Sequence, residues 1–473
     1  MQENNVRQAA LPDSDRLSAE LASLDKKYHF HPTSSLQQQQ QHGPSFIFTE
    51  GKGVYLTDVH GDRYMDGLAS MWNVNIGHGR AELAEAAREQ MAKLAFSSSF
   101  LTLSHEPVIR LSAKLAELTP GDLNVSFFTS GGSESNDSVF KIVRHYWKLK
   151  GQPDRQKIIA RNLAYHGITI GATSATGISQ FQRMASAPSD DFLHAAAPYC
   201  ARCELGMTYP ACQLACAGTL RSIIEREQPE KVAAVIVEPI QGAGGVIVPP
   251  DGYLQEVRKI CDEYGILMIA DEVITGFGRT GMMFGVENWD VVPDLMSVAK
   301  GITSGYIPLG AVIMSERIRD EMISLSNDTF FHGFTYSGHP TACAVALKNL
   351  EIIEREGIVG HVKQMEKVML DGFRFLEERH PTVSAGRGKG LLGAFELFAD
   401  RERGTRFDPS VKAASRVVNQ CFERKLLVRP ITYGGTDIIA MSPPLIMTKN
   451  ELELMFEIFS DAVGVFEREI GVG

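Results

Sequence analysis

The chain has 473 residues, 44% of them hydrophobic, with a formal net charge of −10 and an isoelectric point near 5.8. A chain of this size can bury a large core and divides into two or three domains. Its negative charge disfavours nucleic acid and anionic membrane surfaces as main partners, no apolar run approaches the roughly 18 residues of a membrane span, and seven cysteines do not make a disulfide scaffold.

The opening stretch MQENNVRQAALPDSDRLSAEL is polar and of mixed charge. It lacks a signal peptide's apolar segment, so a cytoplasmic protein is the default expectation. The first 45 or so residues stay polar, and the run Gln37–Gln41 reads as a surface loop or arm. GVYLTDVHGDRYMD (53–66) predicts a hairpin around a His-Gly-Asp turn. Helical spacing follows in AELAEAAREQMAKL (81–94) and PVIRLSAKLAELT (107–119). Through the centre, short apolar runs read as buried strands: NVSFFTS, QKIIAR, AAVIVEP, ILMIADE and DLMSVAK. Helical segments such as 135–150 and 252–265 separate them. This alternation predicts an α/β fold with a mainly parallel sheet covered on both faces. After Pro340 the pattern changes to a long helical stretch, GRGKGLLGAFELF, another helix, a short strand pair and a terminal helix, which reads as an α+β domain.

In such sheets, ligands bind beyond the carboxyl ends of the strands. One run ends at Asp271 and Glu272, and a later one at Lys300-Gly301. Burial disfavours a lysine's charge and lowers its pKa, which suits an amine that attacks an aldehyde. By itself, Lys-Gly also fits a lysine emerging into solvent. FFTSGGSESND (127–137) runs from strand through a glycine-rich turn into a helix. Gly131 and Gly132 let the backbone approach an anion, Ser133 adds a hydroxyl at the helix N-terminus, and Glu134 and Asn136 stand near enough to cap or orient the turn. On its own this is equally an ordinary capped loop. Together, an anion cradle, an amine and a carboxylate are what pyridoxal 5′-phosphate (PLP) requires.

The motifs DGLASMWNVNIGHG, FFTSGGSESND, AYHG, VEPIQGAGG, IADEVITGFGRTG, SVAKGITSGYIPLGA and HGFTYSGHPTACA cover nearly the whole chain in one order. Their set resembles the class III (ω-type) aminotransferases of PLP fold type I. The resemblance implies a large domain over 76–340, with a seven-stranded, mainly parallel sheet and a cysteine-rich insertion at 198–217. It further implies a smaller α+β domain built from the arm-bearing segment 1–75 and from 341–473. Lys300 resembles the lysine that bonds the cofactor, and Asp271 the partner of its ring nitrogen. Gly131, Gly132 and Ser133 resemble the phosphate turn. Tyr165 and His166 of AYHG, Glu238 and Val273 resemble the residues around the ring, with Tyr165 stacked on it. Thr335 resembles a phosphate ligand donated by a neighbouring subunit, which implies a homodimer or tetramer with shared sites. Trp72 and Arg429 resemble an aromatic pocket residue and a mobile arginine that grips a substrate carboxylate. Read alone, they are equally a core tryptophan and a solvated arginine. The family turn commonly reads Asn-Ser-Gly-Ser-Glu, so Gly131 stands where a hydroxyl is usual and predicts looser cofactor retention.

Cys200, Cys203, Cys212 and Cys216 form a CxxC followed by a CxxxC. Three readings stay open: a structural zinc held by four thiolates, free thiols in an insertion, or disulfides. The reaction expected is transfer of an amino group from an amine or ω-amino acid to pyruvate or a similar keto acid. The alternatives are a decarboxylase or aminomutase on the same scaffold, a cofactor-binding regulator, or a zinc-stabilised interaction protein.

Overall fold

The computed structural model describes residues 13–185 and 189–472; the first twelve residues of the expected arm lie outside them. Fifteen strands are present among the described residues: β1 (Phe48–Lys52), β2 (Tyr55–Asp58), β3 (Arg63–Asp66), β4 (Leu123–Thr129), β5 (Lys157–Arg161), β6 (Phe192–Ala195), β7 (Val232–Val237), β8 (Leu267–Asp271), β9 (Leu295–Val298), β10 (Gly310–Ser315), β11 (Val383–Lys389), β12 (Leu392–Leu397), β13 (Leu426–Leu427), β14 (Arg429–Ile431) and β15 (Ile438–Met441).

Seven of them form the main sheet, in the order β4-β10-β9-β8-β7-β5-β6. The pairs β6/β5, β5/β7, β7/β8 and β8/β9 are parallel, while β10 runs antiparallel to both neighbours. Every residue of β7, β8, β9 and β10 is buried, which explains why these strands read as unbroken apolar runs. Strand alternation still divides them between two faces. Ile158, Ile236 and Ile269 pack under the helix Gly132–Leu149, through Val139, Val143 and Tyr146. Ile159, Val235 and Met268 point the other way, towards the helices Ala215–Glu227 and Tyr253–Tyr264. The fold is thus α/β, with the expected sheet covered on both faces. β6 and β10 were not among the runs legible in the sequence. β6 is only four residues long.

Two smaller sheets come from the ends of the chain. β11-β12-β15-β14 is wholly antiparallel. The helices Ile358–Arg379 and Lys449–Glu469 lie against it, joined by the aromatic rings of Phe373, Phe395, Phe456 and Phe459. In the other sheet, the predicted hairpin β2/β3 pairs Tyr55 with Met65, and β13 adds a parallel pairing, Leu426 to Met65 and Leu427 to Asp66. That short ladder binds the N-terminal segment to the C-terminal one. The glutamine run is not a loop. It forms the helix Leu36–His42, with Ser35 capping it and Gln39 buried, since glutamine is a good helix former once a cap nucleates the turn.

Candidate active site

The carboxyl ends of β5, β7, β8 and β9 open together onto a cavity of about 610 Å³. At the end of β8, Asp271 is 3% exposed and draws donors from three elements. Its Oδ2 accepts from Asn136 Nδ2 on the helix after β4 and from His166 Nδ1 on the loop after β5, both at 2.8 Å. Its Oδ1 accepts the Val273 amide at 3.1 Å. One turn into its helix, Asn136 therefore does not cap the turn. Glu134 does, accepting the Ser130 amide at 2.8 Å.

Lys300 follows β9 and turns out of it with φ 47, a left-handed conformation that costs a non-glycine residue about 1–3 kcal/mol. The next residue locks it there. A Cβ on Gly301 would lie 2.5 Å from Asn75 Nδ2, and Asn349 Nδ2 donates to the Gly301 and Ile302 carbonyls at 2.9 and 3.0 Å. The amine faces the cavity from within the protein body. Burial pushes its pKa down to about 8, against the opposing pull of Asp271 and Glu238. Glu238, 3% exposed, has its carboxyl pushed up by burial. It accepts the amides of Tyr165 at 3.0 Å and Gly242 at 2.9 Å. Tyr165 and Val273 line the cavity between these groups.

Across from Lys300, the helix Gly132–Leu149 begins at the cavity wall, and its first amides have no intrahelical acceptor. A Cβ on Gly132 would come within 2.9 Å of Val273, so glycine is needed for this approach. Ser133 Oγ accepts the Ile168 amide at 3.2 Å. An enclosed amine, a buried carboxylate and a helix N-terminus thus surround one space, and this donor set fits PLP.

Of the residues singled out in the sequence, Trp72, Gly132, Ser133, Tyr165, His166, Glu238, Asp271, Val273, Lys300 and Arg429 line the cavity. Gly131 and Thr335 do not. Gly131 sits just behind the turn, and Thr335 is exposed on a turn elsewhere on the surface. Arg429 holds no carboxylate: Nη2 donates to the Tyr433 hydroxyl at 3.1 Å, and Nη1 lies 3.8 Å from Met71 Sδ. Trp72 is buried at the end of a segment in which Ala69, Ser70 and Trp72 take positive φ, and Asp66 accepts the Leu68 and Ser70 amides beside it. Pro32, Thr33, Met71 and Phe181 also line the cavity. Met71 falls inside the motif DGLASMWNVNIGHG without being singled out there, and Pro32, Thr33 and Phe181 come from segments of unremarkable local pattern.

The cysteine cluster is not arranged for zinc. At a Zn–S distance of about 2.3 Å, tetrahedral sulfurs stand about 3.8 Å apart. Among the described residues, only Asp25, His29 and His31 bring three candidate ligand atoms within 4.8 Å of one another. All four cysteines are free, and burial raises the thiol pKa of Cys216 to about 11. The insertion is anchored without a metal. Fully buried Glu396 on β12 accepts from the Tyr199 hydroxyl and from Arg202 Nε at 2.5 Å, and pairs with Arg387 at 2.9 Å.

Residues 36–463 match the family model described as Aminotransferase class-III. The chain is 41% identical to the putrescine–pyruvate aminotransferase of Pseudomonas aeruginosa over 443 residues, covering 92% of this chain and 93% of that protein. Among solved structures, a transaminase from the marine bacterium Virgibacillus superposes with a TM-score of 0.92 at 48% identity, covering 95% of this chain and 100% of that one. An omega transaminase from Pseudomonas jessenii in complex with PMP gives 0.92 at 37% identity, covering 96% and 99%.

Two measurements follow from this geometry. Gly131 has extended backbone angles (φ 176, ψ 175), and a Cβ there would meet nothing within 4 Å. Gly131→Ser is expected to fold unchanged and to release PLP several-fold more slowly; an unaltered dissociation rate in a spectroscopic chase would mean that this position does not limit retention. Because only the neutral amine attacks an aldehyde, the rate of PLP capture by cofactor-free protein should rise with pH and reach half its maximum near pH 8. A midpoint above pH 10 in stopped-flow absorbance would show that burial does not perturb Lys300.

Proposed function

This chain belongs to the class-III aminotransferase family and is a PLP-dependent transaminase, and we propose that it moves an amino group from an amine or ω-amino acid to pyruvate or a similar monocarboxylate keto acid. The observation that carries the acceptor is Arg429. Besides Lys300, it is the only lysine or arginine lining the cavity among the described residues, and it is without a carboxylate. A planar guanidinium takes one carboxylate in a bidentate grip. One free arginine suits a keto acid with a single carboxylate, and also suits a neutral-tailed or cationic-tailed amine when it swings aside. The pyruvate-using relative supports the same acceptor.

PLP supplies an aldehyde for the donor's amino group and a ring that takes up the electrons released at the adjacent carbon. The roles of the protein groups follow from their positions. Lys300 Nζ, largely neutral above pH 8, holds the cofactor in the resting enzyme. When free of the cofactor, its neutral amine would be the base that takes and returns the proton at the substrate carbon. Asp271, fixed by Asn136 and His166, presents its carboxylate to the ring nitrogen and keeps that nitrogen protonated. Gly132 and Ser133 offer their amides to the phosphate. Tyr165, Val273 and Glu238 line the cavity and would hold the cofactor's ring between them. Trp72, Met71 and Phe181 form an apolar wall that excludes water from the donor's tail.

We further infer that two copies pair through the exposed apolar surface around Phe100, Leu101, Leu103 and Phe331, where Leu101 is 86% and Phe331 82% exposed. The segments meet where Ser99 Oγ donates to the Ser337 carbonyl at 2.9 Å. Thr335 is exposed on a nearby turn, and on this reading it would serve the partner's phosphate site. Light scattering should give twice the chain mass, and Leu101→Asp together with Phe331→Asp should give monomers that lose PLP; a monomeric wild type would end this reading.

The function itself is tested by absorbance. The holoenzyme should show a band at about 410 nm that moves to about 330 nm with an amine donor and returns with pyruvate. Lys300→Ala should abolish the band's normal position and lower turnover at least ~10³-fold. Arg429→Ala should raise the pyruvate KM about tenfold or more while leaving the half-reaction with a simple amine nearly unchanged. A band that never cycles with any amine, or an Arg429→Ala enzyme with an unaltered pyruvate KM, would refute the assignment of acceptor and cation.

A further inference from the structure

The segment that brings Pro32 and Thr33 to the cavity mouth is pinned by an unusual set of side chains. The helix Asp13–Tyr28 ends beside the loop 29–35, which leads into the helix Leu36–His42. Across that join, both carboxylate oxygens of Asp25 lie 2.9 Å from His31 Nε2, and Oδ2 lies 3.3 Å from His29 Nδ1. The two imidazole rings are 4.2 Å apart between centroids. Gln39 closes the arrangement from the far helix, donating to the His29 carbonyl at 2.9 Å and to Asp25 Oδ1 at 3.4 Å. The set remains open to water: the side chains of His29, His31 and Asp25 are 60%, 28% and 18% exposed.

We propose that Asp25, His29 and His31 form a binding site for a divalent first-row transition ion, and that the bound ion fixes Pro32 and Thr33 over the mouth of the active-site cavity. The geometry supports this in two ways. Ligands at about 2.1 Å from a metal stand about 3.0 Å apart in adjacent octahedral positions and about 3.4 Å apart in a tetrahedron. The three candidate ligand atoms lie within 4.8 Å of one another, with 2.9 Å between Asp25 and His31 and 3.3 Å between Asp25 and His29, close enough to meet on one ion. Two imidazoles with one carboxylate are a ligand set that such ions favour. Hydrogen bonding alone uses the set poorly. A neutral imidazole has one N–H, yet Nε2 of His31 is shared by two oxygens, one of which also faces His29. The loop that the ion would hold is strained. Thr33 has φ 49, an outlying conformation for a β-branched residue that needs its surroundings to over-determine it. Both Pro32 and Thr33 are exposed and line the cavity, as do Met71, Trp72 and Arg429, so order in this loop bears on substrate entry.

The test uses untagged holoenzyme and nickel(II) chloride as the probe. Nickel(II) favours nitrogen and oxygen ligands over the distant thiols. Titration calorimetry should show one equivalent bound per chain. His29→Gln with His31→Gln should weaken that binding at least thirtyfold, and Cys200→Ser with Cys203→Ser should leave it intact. No heat of binding, or equal binding by the double histidine variant, overturns the site. The gating half rests on the transaminase reading and is measured separately: nickel(II) should change the KM for the amine donor at least threefold in the wild type and leave it unchanged in the double histidine variant. Binding without that difference would overturn the gating and leave both the site and the transaminase reading standing.

Discussion

A carboxylate at the end of a strand buried on both faces must find donors or lose its charge, and Asp271 finds them on three separate pieces of chain. Asn136 comes from the helix after β4, His166 from the loop after β5, and the Val273 amide from its own strand end. Leaving such a group without partners would cost several kcal/mol. The solvation of one carboxylate therefore fixes the relative positions of the helix Gly132–Leu149, the loop after β5 and the end of β8. Lys300 itself needs no ion pair, because burial shifts it towards the neutral amine that the chemistry uses.

The same economy holds the smaller sheets onto the main one. Arg279 is fully buried, and its guanidinium is solvated by neutral oxygens: the Leu391 carbonyl at 3.0 Å, the Pro443 carbonyl at 2.5 Å and Asn75 Oδ1 at 3.0 Å. Burial pushes its pKa down to about 9. Asn75 also donates to the Phe277 carbonyl. One side chain thus links the loop after β8, the N-terminal segment and two parts of the C-terminal segment. Glu272, beside Asp271, turns away from the cavity and accepts the Gly285 and Val286 amides at 2.8 Å, together with the Thr275 hydroxyl. Adjacent acids on one strand therefore do different work: one faces the cavity and the other ties down the following loop.

The residues proposed to handle the substrate sit on segments with fewer constraints. Arg429 stands at the start of β14 with only a phenol and a thioether for company. Trp72 and Met71 sit on a strained stretch whose amides Asp66 secures, and Asp66 is itself held by His78 at 2.8 Å. Asp271 is over-determined by buried bonds, whereas the Arg429 guanidinium meets only the Tyr433 hydroxyl and the Met71 sulfur.

The sequence by itself determined the strand–helix alternation, the buried strands that end in Asp271 and Lys300, and the glycine turn at 131–133. Those features are local: period, capping and burial appear in consecutive residues. It also carried the motif set that implied the family and most of the cavity's residues by number. The zinc reading failed because cysteine spacing along the chain does not fix distances between sulfurs, and the insertion found its anchor in Glu396, nearly two hundred residues away. The glutamine run was read as loop because composition said nothing of the Ser35 cap. Phe181, Pro32 and Thr33 lie beyond local reading for the same reason, and Asn136, legible beside the turn, has its true partner in Asp271, 135 residues away. Each acquires its role only when the fold sets it beside a partner distant in sequence, and which partner arrives is decided by packing across the whole sheet.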